Sequence, residues 1–369
     1  MKLKVGITGQ NGFIGYHVVQ QLRLSPDKYE IIPFKKEYFT DADKLQQFVK
    51  NCDAIIHLAA MNRGDEKEIY ATNISLVQKL ISAMETTEAT SHILFSSSTQ
   101  ETRGNFYGNS KKEGAELFAA WAETNQAIFS HFVIPNVFGP FSRPYYNTVV
   151  ATFCHQLTHN QTPRIDVDAV MNLIYVGDLA KEFIAHLYDT ESTVISPKPV
   201  AKINVSRLLA KLEEFKAWYY EKGMIPSLQT RFDVSLFNTF RSFANDIIPI
   251  YPELHSDPRG TFVEVMKEMT GGQTSFSTTV PGITRGNHYH LRKIERFCVV
   301  KGKALIQTRR VGTDIVNEYE VSGDRPACID MPIYYTHNIK NIGDEELLTI
   351  FWINEFFDPN DPDTYFEIV

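Results

Sequence analysis

The chain has 369 residues, more than one hydrophobic core normally supports, so its length predicts two domains. With 43% apolar and 22% charged residues, the composition is typical of a globular enzyme and excludes a disordered or fibrous chain. A net charge of -7 without a basic block argues against nucleic acid as a partner, and no apolar run approaches the roughly twenty residues that a membrane span needs. We therefore expect a cytoplasmic protein with no membrane insertion.

In the first half of the chain, short apolar runs alternate with segments of helical spacing. The predicted strands are LKVGITG, YEIIPF, DAIIHLAA and SHILFSSS, and helices such as FIGYHVVQQLRL and NISLVQKLISAM lie between them. This alternation predicts an α/β Rossmann-like fold with a doubly wound parallel sheet.

From about Ile247 the pattern changes to short alternating segments, such as ERFCVVKG and LLTIFWI, separated by glycine-containing turns. Such a pattern is typical of an all-β domain. We place the first domain at residues 1–245 and the second at residues 246–369. The helical segment VSRLLAKLEEFKAWYYEKG is expected to complete the first domain.

The segment TGQNGFIG lies between the first predicted strand and the first predicted helix. Glycines at this junction allow a tight turn and a close approach of the backbone to a pyrophosphate, which then lies at the helix N-terminus. Ordinary turn glycines are the alternative, but the position at the first βα junction favours dinucleotide binding. The predicted cofactor-binding residues of this segment are Gly9, Asn11, Gly12, Phe13, Ile14 and Gly15.

The end of the second predicted strand carries Lys35 and Lys36, where an acidic residue would bind the adenosine ribose of NAD. Two cations suit a 2'-phosphate, so the sequence favours NADPH. The alternative is that both lysines are solvated surface residues.

The segment FSSSTQETRGNFYGNSKKEG contains the candidate proton-transfer groups of the first domain. Tyr107 and Lys111 are four residues apart, which places them on one face of a helix that starts near Tyr107. A lysine one turn away can lower the pKa of a phenol, so Tyr107 could exchange a proton with a carbinol or ketone. Ser98 is the best candidate to hydrogen-bond the same oxygen, with Ser96 and Ser97 as alternatives. A surface pair on a helix remains the alternative for Tyr107 and Lys111.

Together, TGQNGFIG, DAIIHLAA, YGNSK and PNVFGP resemble the extended short-chain dehydrogenase/reductases over about residues 1–240. The resemblance implies a nucleotide-sugar substrate and contact of Tyr107 and Lys111 with the cofactor. Only eight residues separate Ser98 from Tyr107, and the arginine that often precedes PNVFG is absent. The resemblance adds four site residues: Leu58, Ala59 and Ala60 beside the cofactor, and Asn136 beside the substrate.

The segment GITRGNHYHLRKIERFCVVKG resembles a metal site. Alternation along a strand points His288 and His290 to the same side, and a barrel would bring Glu295 and His337 from neighbouring strands. Such ligands suit zinc, manganese, iron or nickel. We predict His290, Glu295 and His337 as the metal ligands, since three protein ligands and a water form an ordinary open site. Histidines that only hydrogen-bond within the core are the alternative.

This pattern resembles the cupins, which implies an all-β jelly-roll barrel over about residues 250–369. SDPRGTFVEV and TRGNHYH further resemble the sugar-nucleotide 3,5-epimerases, in which the histidine of R-G-x-H removes a proton beside a keto group. The resemblance implies that His288 is this base and Arg285 a substrate contact, while His288 as a fourth metal ligand stays open. Tyr334 stands where the second cupin motif usually has glycine.

The whole chain resembles the CapF-type bifunctional enzymes of capsular polysaccharide and O-antigen synthesis. The resemblance implies that the cupin epimerises carbon 3 of a UDP-2-acetamido-2,6-dideoxy-4-hexulose and that the reductase reduces its 4-keto group with NADPH. The product would be UDP-2-acetamido-2,6-dideoxy-talose, a precursor of UDP-N-acetyl-L-fucosamine. Zinc is the favoured metal, and a homodimer is expected because both fold families are usually dimeric.

Three other functions remain open at this stage. A nucleotide-sugar 4-epimerase would retain NAD, a cupin dioxygenase would consume oxygen, and a non-catalytic protein would use the two domains to sense redox state or a ligand.

Overall fold

The computed structural model describes residues 1–244 and 249–369. Two compact units make up the chain: the first comprises Met1–Thr152 and Val167–Val205, the second Phe153–Asp166 and Ser206–Val369. The predicted boundary between residues 245 and 246 lies outside the described residues and stays a prediction. No described helix is long and apolar enough to cross a membrane.

The first unit alternates strands with helices. Its strands are β1 (Leu3–Thr8), β2 (Tyr29–Ile32), β3 (Ala54–His57), β4 (His92–Ser98), β5 (Phe129–Ile134), β6 (Asn136–Phe138), β7 (Val170–Tyr175), β8 (Thr193–Ile195) and β9 (Ala201–Asn204). Its helices are α1 (Phe13–Arg23), α2 (Ala42–Lys50), α3 (Glu66–Thr87), α4 (Phe106–Asn125), the start of α5 (Val149–Thr158), and α6 (Val176–Ala185).

Six of these strands form one sheet in the order β2-β1-β3-β4-β5-β8, and all neighbours are parallel. Alternate residues of β3 face opposite sides: Ile55 packs with Leu80 of α3, whereas Ile56 packs with Val18 of α1. The predicted doubly wound fold is therefore confirmed. The strand order reverses between β1 and β3, and such a switch point is where α/β sheets bind ligands. Strands β6, β7 and β9 form a separate small sheet.

The second unit contains the end of α5, helices α7 (Val205–Phe215, from its second residue) and α8 (Arg231–Arg241), and an all-β region. A π-helical turn, Lys216–Tyr220, continues α7 over the predicted helical segment. The strands are β10 (Leu254–Asp257), β11 (Gly260–Val263), β12 (Gln273–Thr279), β13 (Thr284–Tyr289), β14 (Glu295–Lys301), β15 (Lys303–Arg310), β16 (Val316–Ser322), β17 (Cys328–Met331), β18 (Tyr335–Asn341), β19 (Leu347–Ile353) and β20 (Tyr365–Phe366).

Apart from the β10-β11 hairpin, these strands form two antiparallel sheets, in the orders β12-β19-β14-β17 and β16-β15-β18-β13-β20. One apolar core receives side chains from both sheets, including Val299 of β14 and Ile306 of β15. The sheets therefore face each other, as predicted for the jelly-roll barrel.

Candidate functional site

The glycine segment forms a tight loop between β1 and α1. Gly9 has a φ of 78°, in the left-handed region that favours glycine. A Cβ atom at Gly15 would lie 2.2 Å from the carbonyl oxygen of Gly9, so helix and loop approach too closely for any side chain. Gly12 is the capping residue at the N-terminus of α1, and no side chain in the described part of the chain caps this end. This helix end can therefore accept an anion through its backbone N–H groups.

A cavity of about 280 Å³ brings most of the predicted reductase residues together. Its walls follow the carboxyl ends of β3, β4 and β5, at the edge of the sheet where the switch point lies. The predicted residues that line it are Phe13, Ile14, Leu58, Ala60, Ser96, Ser97, Ser98, Tyr107, Lys111 and Asn136.

Tyr107 and Lys111 lie one turn apart near the start of α4. The Lys111 side chain is only 3% exposed; its Nζ donates to the Ser96 carbonyl at 2.7 Å and lies 5.8 Å from the centre of the Tyr107 ring. Burial lowers the pKa of Lys111 to about 7 and raises the pKa of Tyr107 to about 12. The sequence led us to expect a lowered pKa for Tyr107 beside the lysine, and burial raises this pKa instead. Tyr107 stays protonated at neutral pH, which suits a proton donor.

The three serines at the end of β4 differ in their hydrogen bonds. Ser96 Oγ donates to the His57 carbonyl at 3.0 Å, and Ser97 Oγ donates to Glu101 Oε2 at 2.6 Å. Ser98 Oγ accepts from the Gln100 N–H at 3.2 Å and donates to no acceptor in the described part of the chain. Ser98 is therefore the serine whose hydroxyl proton is available to a ligand in the cavity.

Lys35 and Lys36 are exposed in the segment that follows β2, the neighbour of β1 in the sheet. The Gln10 side chain joins this segment to the glycine loop, because its Oε1 accepts from the Phe34 N–H at 3.4 Å. Asn11 is exposed in the glycine loop itself. The lysines thus lie beside the predicted nucleotide site.

Asn62 was not predicted as a site residue, and Asn73, which contributes to the resemblance to the short-chain dehydrogenase/reductases, was given no site role from the sequence. Asn62 lines the cavity, and its buried Oδ1 has no hydrogen-bond partner among the residues that the structure describes. Asn73 anchors the same loop: its side chain bonds both the N–H and the carbonyl of Met61, at 2.7 and 2.9 Å, and Ser110 Oγ at 3.0 Å. Asn62 follows HLAA by two residues, and that position is the sequence signal that could have revealed it.

The second candidate site lies in the barrel. Ligand atoms of His288, His290, Glu295 and His337 all lie within 4.8 Å of one another. His288 on β13 pairs directly with His337 on β18, Glu295 begins β14 in the opposite sheet, and His290 follows the end of β13. The structure thus brings together all four residues that the sequence singled out.

Hydrogen bonds define the protonation of two rings. The Nδ1 atoms of His290 and His337 lie 2.6 and 3.2 Å from the carbonyls of Asp363 and Tyr335. A carbonyl only accepts, so each Nδ1 carries a proton. Both Nε2 atoms lie 3.0–3.1 Å from Glu295 Oε2. If neither ring takes a second proton, each Nε2 directs a lone pair at the Glu295 carboxylate, and the lone pairs and the carboxylate repel each other. A divalent cation bound between them would remove this repulsion.

Opposing effects set the charges of this cluster. Burial by itself would raise the pKa of Glu295, but the hydrogen bonds from His290 and His337 outweigh burial and lower it. Burial would likewise lower the pKa of His290, and its bond to Glu295 raises it instead. His288 has no hydrogen bond to Glu295 among the described residues. Burial, with the neighbouring His337 and His290, lowers its pKa to about 3, so His288 is neutral.

Two further residues belong to this region. Arg285 is exposed on β13, and no hydrogen bond or ion pair joins it to the cluster within the described residues. Tyr334 has a φ of 61°, and its N–H donates to the His290 carbonyl at 2.8 Å. This left-handed backbone is where glycine is favoured, which explains the glycine that cupins usually place there; a tyrosine adopts it at a cost of about 1–3 kcal/mol.

Each of the two parts of the chain matches a known protein family. Residues 5–196 match the NAD dependent epimerase/dehydratase family, and residues 255–365 match the polysaccharide biosynthesis C-terminal domain. The chain is 34% identical to a UDP-2-acetamido-2,6-beta-L-arabino-hexul-4-ose reductase of Pseudomonas aeruginosa, with 98% of each chain covered. A crystal structure of the capsular polysaccharide assembling protein CapF of Staphylococcus aureus matches with a TM-score of 0.63 and 33% identity, covering all of both chains.

A third relative matches only part of the chain. A probable low-salt glycan biosynthesis epimerase of Haloferax volcanii is 28% identical over 123 residues, which cover 30% of this chain and 79% of the relative.

Proposed function

Because this chain belongs to the CapF-type enzymes of the NAD-dependent epimerase/dehydratase family, we propose that it is a bifunctional nucleotide-sugar enzyme of capsule or O-antigen synthesis. The P. aeruginosa relative is named for reduction of a UDP-linked 4-keto sugar. We infer that this chain acts on a UDP-2-acetamido-2,6-dideoxy-4-hexulose, inverting carbon 3 in the barrel and reducing carbon 4 in the first unit. The product is UDP-2-acetamido-2,6-dideoxy-talose, a precursor of UDP-N-acetyl-L-fucosamine.

The reduction uses the cavity lined by Ser98, Tyr107 and Lys111. NADPH would supply a hydride to carbon 4, with its pyrophosphate at the glycine loop. Tyr107 donates its proton to the carbonyl oxygen as the alcohol forms, and the Ser98 hydroxyl bonds the same oxygen. The Lys111 ammonium stabilises the phenolate that is left, since its Nζ lies 5.8 Å from the centre of the Tyr107 ring. The observation that carries the proposal is that these three side chains and the start of α1 share one cavity.

The cofactor choice and the assembly are parts of the same proposal. Lys35 and Lys36 would bind the 2'-phosphate that distinguishes NADPH from NADH, which their exposure beside the glycine loop supports. The homodimer and the cytoplasmic location also remain proposals.

The epimerisation uses the histidine cluster of the barrel. We assign His288 as the base that removes the carbon-3 proton, which the adjacent ketone acidifies, before a proton returns on the opposite face. A neutral His288 supports this role. His290, Glu295 and His337 would hold a divalent cation, zinc in this proposal, that acts as a Lewis acid toward a substrate oxygen.

The test combines NADPH oxidation with product stereochemistry. The full chain is incubated with NADPH and a panel of UDP- and dTDP-4-keto sugars in deuterated water, and the products are analysed by NMR. We expect stoichiometric NADPH oxidation with the UDP-linked substrate and deuterium at an inverted carbon 3. Turnover with tightly bound NAD and no NADPH consumption would instead show a 4-epimerase, and no turnover with any sugar would support a sensing protein.

His288→Ala separates its two possible roles. As the base, its loss abolishes deuterium incorporation at carbon 3 while bound metal is retained and NADPH is still oxidised, now to a product with the uninverted carbon. Loss of metal in this variant would make His288 the fourth ligand, and incorporation at the wild-type rate would remove it as the base.

A further inference from the structure

One residue of the C-terminal segment is built into the histidine cluster. Asp363 is 2% exposed, and its carbonyl accepts from His290 Nδ1 at 2.6 Å. Its carboxylate accepts from the next three backbone N–H groups after His290, at 3.2 Å from Leu291, 2.9 Å from Arg292 and 2.8 Å from Lys293. A residue more than seventy positions away thus bonds both the ring of His290 and the loop that follows it.

We propose that Asp363 is a positioning residue of the metal centre, which holds His290 in the orientation that a bound cation requires. The inference rests on the metal site of the proposed function. Asp363 does not ligate the cation; it fixes which ring nitrogen of His290 is protonated and anchors the backbone on which His290 is mounted.

His290 needs such an anchor because of its place in the barrel. β13 ends at Tyr289, so His290 is the one member of the cluster outside a strand. His337, in contrast, lies within β18, which pairs with β13 on one side and β15 on the other. Its Nδ1 partner, the Tyr335 carbonyl, belongs to its own strand. The sheet therefore positions His337, whereas the C-terminal segment positions His290.

Residues next to Asp363 in the chain also contact the loop of residues 291–293. Arg292 donates to the carboxylate of Asp361 and to the carbonyl of Asp361, both at 2.9 Å, and to Glu355 at 3.0 and 3.2 Å. The Lys293 Nζ donates to the Pro362 carbonyl. These contacts involve the side chains of Arg292 and Lys293. The Asp363 carboxylate instead accepts the backbone N–H groups of residues 291–293.

The carboxylate charge is what the arrangement requires. A carboxylate has only acceptor sites, so both oxygens can serve the three N–H groups. Asparagine has nearly the same shape, but its amide nitrogen would point an N–H at a backbone N–H. Hydrogen bonds to a charged acceptor are about twice as strong as neutral ones, so this substitution removes the strongest part of the anchor.

The experiment measures zinc release from the full chain. Wild type and Asp363→Asn are loaded with Zn²⁺ and mixed with excess chelator, and release is followed with a colorimetric indicator. Outer partners of metal-bound histidines commonly change metal affinity by about 10–100-fold. We expect release to be at least about tenfold faster in Asp363→Asn, and the d–d spectrum of the Co²⁺-substituted protein to change.

The matched control is Asp361→Asn, the same substitution two residues away. It changes the contact of the Asp361 carboxylate with the exposed Arg292 guanidinium and keeps the Asp363 carboxylate, so its release rate should stay within about twofold of wild type. Asp363→Glu, which keeps the charge, should restore release toward the wild-type rate. Equal release from Asp363→Asn and wild type, or equally fast release from both asparagine variants, would overturn the proposal.

A second measurement needs only the wild-type chain and so does not depend on the folding of a variant. Coupling between sites is reciprocal, so zinc must stabilise the contacts that stabilise zinc. We expect Zn²⁺ to slow hydrogen exchange in peptides that contain residues 291–293 more than in peptides from β16. Equal exchange with and without bound zinc would refute the role of Asp363. A wild-type chain that binds no zinc would refute the proposed metal site itself.

Discussion

In the first unit the two central side chains, Tyr107 and Lys111, come from one turn of a single helix, whereas the four clustered side chains of the barrel come from β13, β14, β18 and the loop after β13. The first arrangement is local in sequence and depends only on the helical repeat. The second requires two sheets to close on each other with one register. Catalytic side chains can therefore be positioned either by a short sequence motif or by the long-range pairing of strands.

The two sites also handle buried charge differently. Burial raises the pKa of Tyr107 to about 12 and lowers the pKa of Lys111 to about 7, and no described residue forms an ion pair with either. In the barrel, His290 and His337 bond Glu295, and these bonds outweigh burial at the carboxylate. The first site therefore holds a proton ready for transfer, and the second favours bound positive charge.

The largest effect is expected from Tyr107→Phe, which changes the first site and leaves the barrel intact. Removal of the general acid should slow 4-keto reduction by about a hundredfold to ten-thousandfold, because the alkoxide then lacks a positioned proton donor. NADPH oxidation measures this loss. Exchange of the carbon-3 proton should continue, since the proposed function places it in the barrel. Near-wild-type reduction in the variant would remove Tyr107 from the mechanism.

The corresponding change in the barrel is His337→Ala. Loss of a ligand should weaken zinc binding more than the roughly 10–100-fold that outer partners cause, and the melting temperature of the barrel should fall. Metal analysis and calorimetry measure both effects. NADPH binding at the first unit serves as the control and should be unchanged. Full zinc content in this variant would show that the cluster is held together by hydrogen bonds alone.

A smaller effect is expected from replacing Lys35 and Lys36 together by glutamine. Each charged hydrogen bond to a phosphate contributes about 1.5–3 kcal/mol, so NADPH should bind at least about tenfold more weakly. NADH lacks the 2'-phosphate and should bind as before. Titration with each cofactor gives the ratio, and an equal change for both would mean that the lysines are only solvated surface residues.

The smallest expected effect is a pH dependence of the reductase. Only protonated Lys111 can stabilise the phenolate, so kcat/KM for NADPH, which reports the free enzyme, should fall as pH rises through the pKa of about 7. The protonated fraction predicts a decrease of roughly fivefold from pH 7 to pH 8. Lys111→Met should be slow and lack this decrease. An unchanged profile in the variant would assign the ionisation to another group.

Much of the fold could be predicted because its signals are local. The apolar runs of β1 to β4 and the glycine loop identified the parallel sheet, and the spacing of Tyr107 and Lys111 identified their shared helical face. The four barrel residues were found from two motifs and the alternation of a strand. Asn62 and Asp363 were missed: the position of Asn62 two residues after HLAA is its only sequence signal, and the contacts of Asp363 with His290 and the following loop form only in the fold.

The sequence by itself therefore determined the classes of the two folds, the glycine loop and the residue types at both sites. Tertiary structure decided how those residues are charged and held: the burial that separates the pKa values of Tyr107 and Lys111, the hydroxyl proton of Ser98 that no described acceptor takes, and the hydrogen bond that His290 donates to the Asp363 carbonyl. The physical reason is that helical and strand periodicity act between near neighbours in the chain. Desolvation and hydrogen bonding depend instead on atoms that only the packed fold brings together.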